Sequence, residues 1–261
     1  MSITKLKYFI AKKLDSNLIL SHLIYGIVGR FKFLLPHDKS YFGLYKFFEK
    51  KNGVRILDVG ANNGISALSF KKLYPNSQIT SFEPNPRHRK SLERACKQNS
   101  GIQFQMLGVG ETAGVLTFYQ PTLNNVALHT ATSTDLNFVK LQLAGIGIDI
   151  SKVEFDEFTS PVINLDSLDL SPHIIKIDCE GFELPILKGA KETIRTHKPI
   201  ILTEYSAEIS GVEYVQEFHD FISSIGYEAK YFENDSNSMR EYKFGDFRSE
   251  TGSRNIFLIP L

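Results

Sequence analysis

Arg55-Ile56-Leu57-Asp58-Val59-Gly60-Ala61-Asn62-Asn63-Gly64 is the stretch whose reading decides the fold. An apolar run ends on an acid, and two glycines then bracket a short turn. Beyond it, Ile65, Ala67, Leu68, Phe70 and Leu73 space apolar residues as an amphipathic helix does. Strand, glycine loop and helix in that order form the crevice in which an open α/β sheet holds a nucleotide-like ligand. The glycine spacing is G-x-x-x-G. A dinucleotide loop needs G-x-G-x-x-G, so that backbone amides can crowd a pyrophosphate. A ligand without phosphate fits better, and Asp58 at the strand end suits a cationic one. S-adenosylmethionine carries a sulfonium, an ammonium and a carboxylate and no phosphate.

Outward from this stretch the elements alternate. Strands are expected over 54–59, 78–82, 102–107, 174–177, 200–203, 227–232 and 255–259. Helices are expected over 65–73, from Pro86 to about Gln98, over 185–196 and over 212–224. Strands alternating with helices imply a mostly parallel sheet covered on both faces. The last two strands leave no room for a crossover helix and should form an antiparallel hairpin. The expected fold class is therefore α/β, a Rossmann-like sheet of the class I methyltransferase layout with a C-terminal antiparallel hairpin. Residues 1–50 read as an N-terminal helical extension, and 51–261 as the ligand-binding domain. A hairpin-like piece is expected around Gly114–Tyr119. From about Gln120 to Ser160 the rhythm breaks into a Thr-, Asn-, Asp- and Gly-rich segment, expected to be an insert that shapes the acceptor pocket.

The bulk numbers exclude several classes. A chain of 261 residues buries one sizeable core. A formal net charge of +1 argues against a protein that coats nucleic acid. Cys96 and Cys179 are far apart and in no metal-ligand spacing, so free thiols in a reducing, cytoplasmic setting are expected. Asp178 and Glu180 leave a metal as a further option, but two carboxylates without a nearby His or Asn motif are a weak signal, so no metal site is expected. Lys5, Lys7, Lys12 and Lys13 precede the apolar segment Leu18–Val28. That reads as a helix packed over the domain, or as a basic amphipathic segment that touches the inner membrane surface.

Chemistry is concentrated at strand ends. Glu83, in Ser81-Phe82-Glu83-Pro84, lies 25 residues after Asp58 and can accept hydrogen bonds from both ribose hydroxyls of an adenosine. A turn or capping carboxylate is the alternative. Ile175-Lys176-Ile177-Asp178-Cys179-Glu180-Gly181-Phe182-Glu183 sends two carboxylates off the end of a buried strand. Asp178 and Glu180 could take a proton from an acceptor hydroxyl or hold a cofactor ammonium, while Glu183 reads as a helix cap. Glu204 ends the next strand and should reach the same rim. Lys176 either neutralises a carboxylate or pairs at the surface. The histidines show no metal spacing and read mostly as surface or capping groups. His129, in the insert, is the candidate auxiliary base. Neither G-x-S-x-G nor a P-loop is present, which argues against a serine hydrolase and a nucleotide triphosphatase.

Together, Asp58-Val-Gly-Ala-Asn-Asn-Gly64, Phe82-Glu-Pro84, the 175–183 segment, Leu187-Lys-Gly-Ala190 and the strand to Glu204 resemble the FkbM-type methyltransferases. The resemblance runs over about residues 54–205. It implies S-adenosylmethionine as cofactor and O-methyl transfer to a hydroxyl of a sugar, surface glycan or related small molecule. Carried over by position, Asp58, Gly60, Asn62, Asn63 and Gly64 would line the methionine end of the cofactor. Glu83 would bind the ribose with Pro84 beside it, and Leu107 and Gly108 would flank adenine. Asp178, Glu180 and Glu204 would be the catalytic carboxylates. Val109 departs from the polar or acidic residue that family members often carry after the third strand. The alternatives are a nicotinamide-dependent reductase, which lacks its glycine fingerprint here, and a non-catalytic nucleotide-binding module.

Overall fold

Strand β1 (Arg55–Val59) runs up the middle of a sheet because both of its faces are apolar. Ile56 points into one hydrophobic core, and Leu57 and Val59 into the other. The computed structural model describes residues 38–48, 52–128, 131–205, 207–242 and 255–261. Among these the main sheet has eight strands in the order β11-β10-β12-β9-β8-β1-β2-β3. Strands β2 (Gln78–Phe82), β3 (Ile102–Gln105), β8 (Ile174–Ile177) and β9 (Ile200–Glu204) run parallel to β1. Strand β12 (Asn255–Pro260) is antiparallel to β9 on one side and to β10 (Tyr227–Glu233) on the other. The expected hairpin is thus present, but its second strand is wedged inside the sheet. Strand β11 (Ser238–Glu241) closes the edge.

The strand order reverses at β1, flanked by β2 and β8. Such a switch point opens a crevice above the carboxyl ends of the strands. A one-turn helix, α1 (Tyr45–Phe48), follows a 3₁₀ segment, Lys39–Leu44. That segment and α2 (Ile65–Leu73) cover one face, through Tyr41, Leu44, Ala67 and Phe70. Helix α3 (Arg89–Gln98) links β2 to β3. Residues 38–48 are packed into the core: a side chain on Gly43 would meet the Phe257 ring at 2.7 Å.

The segment expected to be irregular is mostly ordered secondary structure. Strand β5 (Gly114–Leu123) pairs antiparallel with β7 (Val153–Ile163) over ten residue pairs. Short strands β4 (Gly108–Val109) and β6 (Val126–Ala127) complete a second, four-stranded sheet. The hairpin-like piece therefore finds its main partner far along the chain. Asn124 and Asn125, both at positive φ, make a two-residue turn into β6. Helix α4 (Leu136–Gly145) lies between β6 and β7, its start capped by Asp135, which accepts from Asn137 and Phe138 amides. Alternation on half-exposed strands of this kind is a weak signal, which is why the composition reads as loop.

Two expected helices also differ. The stretch 185–196 is split into α5 (Glu183–Lys188) and α6 (Lys191–His197). The helix expected over 212–224 is α7 (Ala207–Ser224), bent at Gly211 (φ 83). Helices α5 to α7 cover the face opposite α2, with Leu184, Ile186, Leu187, Ile194 and Phe218. No helix of the described residues is long and apolar enough to cross a membrane. The basic and apolar N-terminal segment and His129 lie outside the described residues.

The break at Gly189 has a steric origin that can be tested. Its φ of −74 suits any residue, yet a Cβ there would sit 2.0 Å from the carbonyl oxygen of Gly110. Gly189→Ala should destabilise the fold by about 1–3 kcal/mol through overpacking. The expected readout is a lower urea midpoint at unchanged slope. An unchanged midpoint would mean the loop ending at Gly110 yields freely.

Candidate active site

The pleat places a polar row across the three central strands. Ile56, Ile174 and Ile79 point to the α2 side, so residues two further on, Asp58, Lys176 and Ser81, do so as well. Register sets them side by side, Ser81 opposite Asp58 and Asp58 opposite Lys176. All three are buried. Asp58 accepts hydrogen bonds from Ser66 Oγ at 2.7 Å and Ser81 Oγ at 3.2 Å. Lys176 Nζ lies 3.5 Å from Asp58 and 3.6 Å from Asp178, and donates to the carbonyls of Val59 (3.2 Å) and Gly60 (2.8 Å). Burial would strip its proton, but the charges of Asp178 and Asp58 outweigh that, so its pKa lies above the ordinary lysine range.

This corrects one expectation. Asp58 is 0% exposed, pairs with Lys176 and accepts from Ser66 and Ser81, so it supports the loop from below and does not line the cleft. Lys176 is likewise an internal ion-pair partner and not a surface one.

The loop above it is built for close approach. Gly60, Asn62 and Gly64 adopt φ of 75, 51 and 82, a left-handed region open to glycine and tolerated by asparagine. A Cβ on Gly60 would fall 2.0 Å from the Asp178 carbonyl oxygen. Glu83 bridges this loop to the turn after β2, accepting the amides of Asn62 (2.7 Å) and Asn85 (2.8 Å). It therefore acts as a turn carboxylate while also lining the cleft. Burial above all raises its pKa to about 7, against the pull of those two amides.

At the other wall, Asp178 and Glu180 leave β8. Glu180 holds a left-handed φ of 52. Ser133 Oγ pins its carbonyl at 2.8 Å, and Gln142 of α4 donates to its carboxylate. Glu183, the first residue of α5, accepts the amides of Cys179 (3.0 Å) and Gly181 (3.3 Å), so it braces the turn before the helix where a helix cap was expected. Glu204 arrives from β9. One carboxylate oxygen from each of Asp178, Glu180 and Glu204 lies within 4.8 Å of the others. Burial first, then the charges of Glu180 and Asp178, hold Glu204 well above the ordinary carboxylate range. Three acids this close relieve their repulsion by sharing a proton or a cation. Among the described residues they are the one group with spacing for a metal ion.

The cleft is bounded by Gly60, Asn62, Asn63, Glu83, Pro84, Gly108, Asp178 and Glu180 among the residues singled out from sequence. Gly64 and Leu107 do not line it, and Glu204 stands behind the rim. Sequence reading missed Tyr41, His88, Phe118, Ser133 and Phe182 on the walls. His88 is buried, not a surface group. Its place just after Glu83-Pro84-Asn85-Pro86 was the available signal. Tyr41 and Ser133 carried none, since each comes from a segment with no recognisable pattern.

A family model described as "Methyltransferase FkbM domain" matches residues 58–229. "Methyltransferase 1" of Beauveria bassiana is 30% identical over 146 residues, covering 51% of this chain and 57% of that protein. "2-O-methyltransferase NoeI" of Sinorhizobium fredii is 29% identical over 174 residues, covering 62% of this chain and 67% of that protein. The chain thus spans roughly three fifths to two thirds of the length of these relatives. A crystal structure of methyltransferase FkbM from Methylobacillus flagellatus superposes with a TM-score of 0.52 at 17% identity. That superposition covers 85% of this chain and 48% of the other.

Glu83 ties the site to stability. Its pKa is raised from 4.5 to about 7, so the folded protein holds a proton that the unfolded chain has released over that window. Stability then falls as pH rises from 4.5 to about 7. Glu83→Gln, uncharged throughout, should lose part of this fall in melting temperature. A variant with the wild-type pH dependence would show that Glu83 titrates normally.

Proposed function

The chain belongs to the FkbM methyltransferase family, and on that premise we propose that it transfers a methyl group from S-adenosylmethionine to a hydroxyl of a sugar, surface glycan or related small molecule. The observation that carries this reading is the cluster of three carboxylates, Asp178 and Glu180 on the rim of the cleft that Glu83 and the Gly60 loop bound, and Glu204 just behind them. The 2-O-methyltransferase relative supports the oxygen acceptor. Family membership leaves the nicotinamide-dependent reductase without support.

The residues fit this cofactor. Glu83 presents a buried carboxylate on the cleft wall, at the position assigned to the ribose. The loop at Gly60–Asn63 offers backbone close to the ligand with no pyrophosphate cradle. When bound, S-adenosylmethionine supplies an electrophilic sulfonium methyl. The protein's own task is to position the acceptor hydroxyl in line, keep water out and accept the hydroxyl proton. We assign the proton to Asp178 or Glu180, with Glu204 orienting them by a side-chain hydrogen bond to Asp178. The second sheet and the segment leading into α4 form the acceptor side in this reading, supported by Phe118, Thr132, Ser133 and Thr134 on the cleft wall.

Two measurements test this. Glu83→Ala should weaken S-adenosylhomocysteine binding in calorimetry at least tenfold, from the loss of hydrogen bonds worth about 1.5–3 kcal/mol each to a charged group. Transfer of labelled methyl to a panel of monosaccharide glycosides should identify a hydroxyl acceptor. On it, Glu180→Gln or Asp178→Asn should turn over about 10²–10⁴-fold more slowly at unchanged cofactor affinity. Near-normal turnover in both variants would remove the base from this rim.

A further inference from the structure

Tyr41 lies upstream of the family-matched region, yet its side chain reaches the cleft. It is 2% exposed, and its ring stacks on Phe70 with centroids 4.9 Å apart and planes 4° from parallel. The segment that carries it is fastened at several points. Asp38 caps the 3₁₀ segment through the Ser40 amide at 2.7 Å. Asn255 of β12 donates to Asp38 at 2.7 Å and to Ser40 Oγ at 3.3 Å. The ring is thereby held in one place, on the wall that also presents Lys176, Asp178 and Gly60.

Its hydroxyl makes no hydrogen bond among the described residues. Burial above all keeps the phenol protonated, and the carboxylates of Asp58 and Asp178 reinforce this against the opposing pull of Lys176. A neutral phenol fixed at a cleft wall can offer its proton to an acceptor placed in the cleft. The end of the cleft it faces is the end assigned to the methionine tail. That tail offers an ammonium and a carboxylate. Asp178 attracts the first and repels the second, which leaves donors to receive the carboxylate.

We propose that Tyr41 donates its hydroxyl to the α-carboxylate of the methionine tail of S-adenosylmethionine, so that a residue outside the matched domain completes the cofactor site. The proposal rests on the cofactor reading given above. It makes the 38–48 segment part of the binding site, and it gives the tail a neutral donor beside the Asp178 carboxylate.

The test is calorimetry without acceptor, on S-adenosylmethionine and on decarboxylated S-adenosylmethionine, which differs only in the missing carboxylate. Tyr41→Phe keeps the ring on Phe70 and removes the donor, so the melting temperature of the free protein should hold. Affinity for S-adenosylmethionine should fall roughly tenfold or more. Affinity for the decarboxylated compound should stay as in the wild type. Unchanged affinity for S-adenosylmethionine overturns the proposal, and so do equal losses for both ligands. Wild-type protein that binds neither compound removes the cofactor reading, and this proposal with it.

Discussion

The buried ammonium of Lys176 is the constraint from which the rest of the site follows. It stands in the middle of the sheet between the carboxylates of Asp58 and Asp178, and it also holds the carbonyls of Val59 and Gly60. Removing one partner from a buried pair of this kind typically costs about 3–5 kcal/mol, because a lone charge is left in a poor solvent. The arrangement therefore locks two loops to each other. The turn after β1 and the turn after β8 must pass close together, and Gly60 has no side chain because the Asp178 carbonyl occupies that space.

Around that fixed centre the acids divide into two kinds. Asp58 pairs with Lys176 and accepts from Ser66 and Ser81, while Glu183 accepts backbone amides of the turn after β8. Asp178 and Glu180 face the cleft, with Glu204 close behind. Burial, with the charges of Glu180 and Asp178 behind it, raises the proton affinity of Glu204 well above that of an ordinary carboxylate. A rim that can hold or pass a proton is the chemical requirement for activating a hydroxyl. The same burial acts on Glu83 at the opposite wall, where backbone amides of Asn62 and Asn85 oppose it without cancelling it. The cleft thus stores free energy as carboxylates held away from water, which ligand hydroxyls or an ammonium can relieve.

Two peripheral pieces turn an open crevice into an enclosed site. The 38–48 segment is bonded to β12 and stacked on α2, and it brings Tyr41 to the cleft wall. The second sheet is joined to the turn after β2 through Gln120, which accepts from Asn85 at 2.8 Å and from Thr132 at 2.9 Å. On the far side α4 presses Phe138 against Gly181, where a Cβ would meet the ring at 2.9 Å. Each contact lies between residues far apart in the chain, so each restricts the cleft at a point no local pattern announces.

The central strands, the glycine loop, the acid at Glu83 and the acids leaving β8 and β9 were legible in the sequence alone. They are legible because buried parallel strands must be continuous apolar runs, and because chain reversal at their ends demands glycine or asparagine at positive φ. What the acids do was decided by the tertiary structure. Asp58 and Asp178 both follow apolar runs, and only the pleat and register place one inside against Lys176 and the other on the rim. The second sheet was decided the same way. Its β5 and β7 are half exposed and separated by a helix, so their partnership depends on a long-range ladder that local periodicity does not encode. Tyr41 belongs to neither pattern. It becomes part of the site because β12, near the end of the chain, holds the start of the described chain against the cleft.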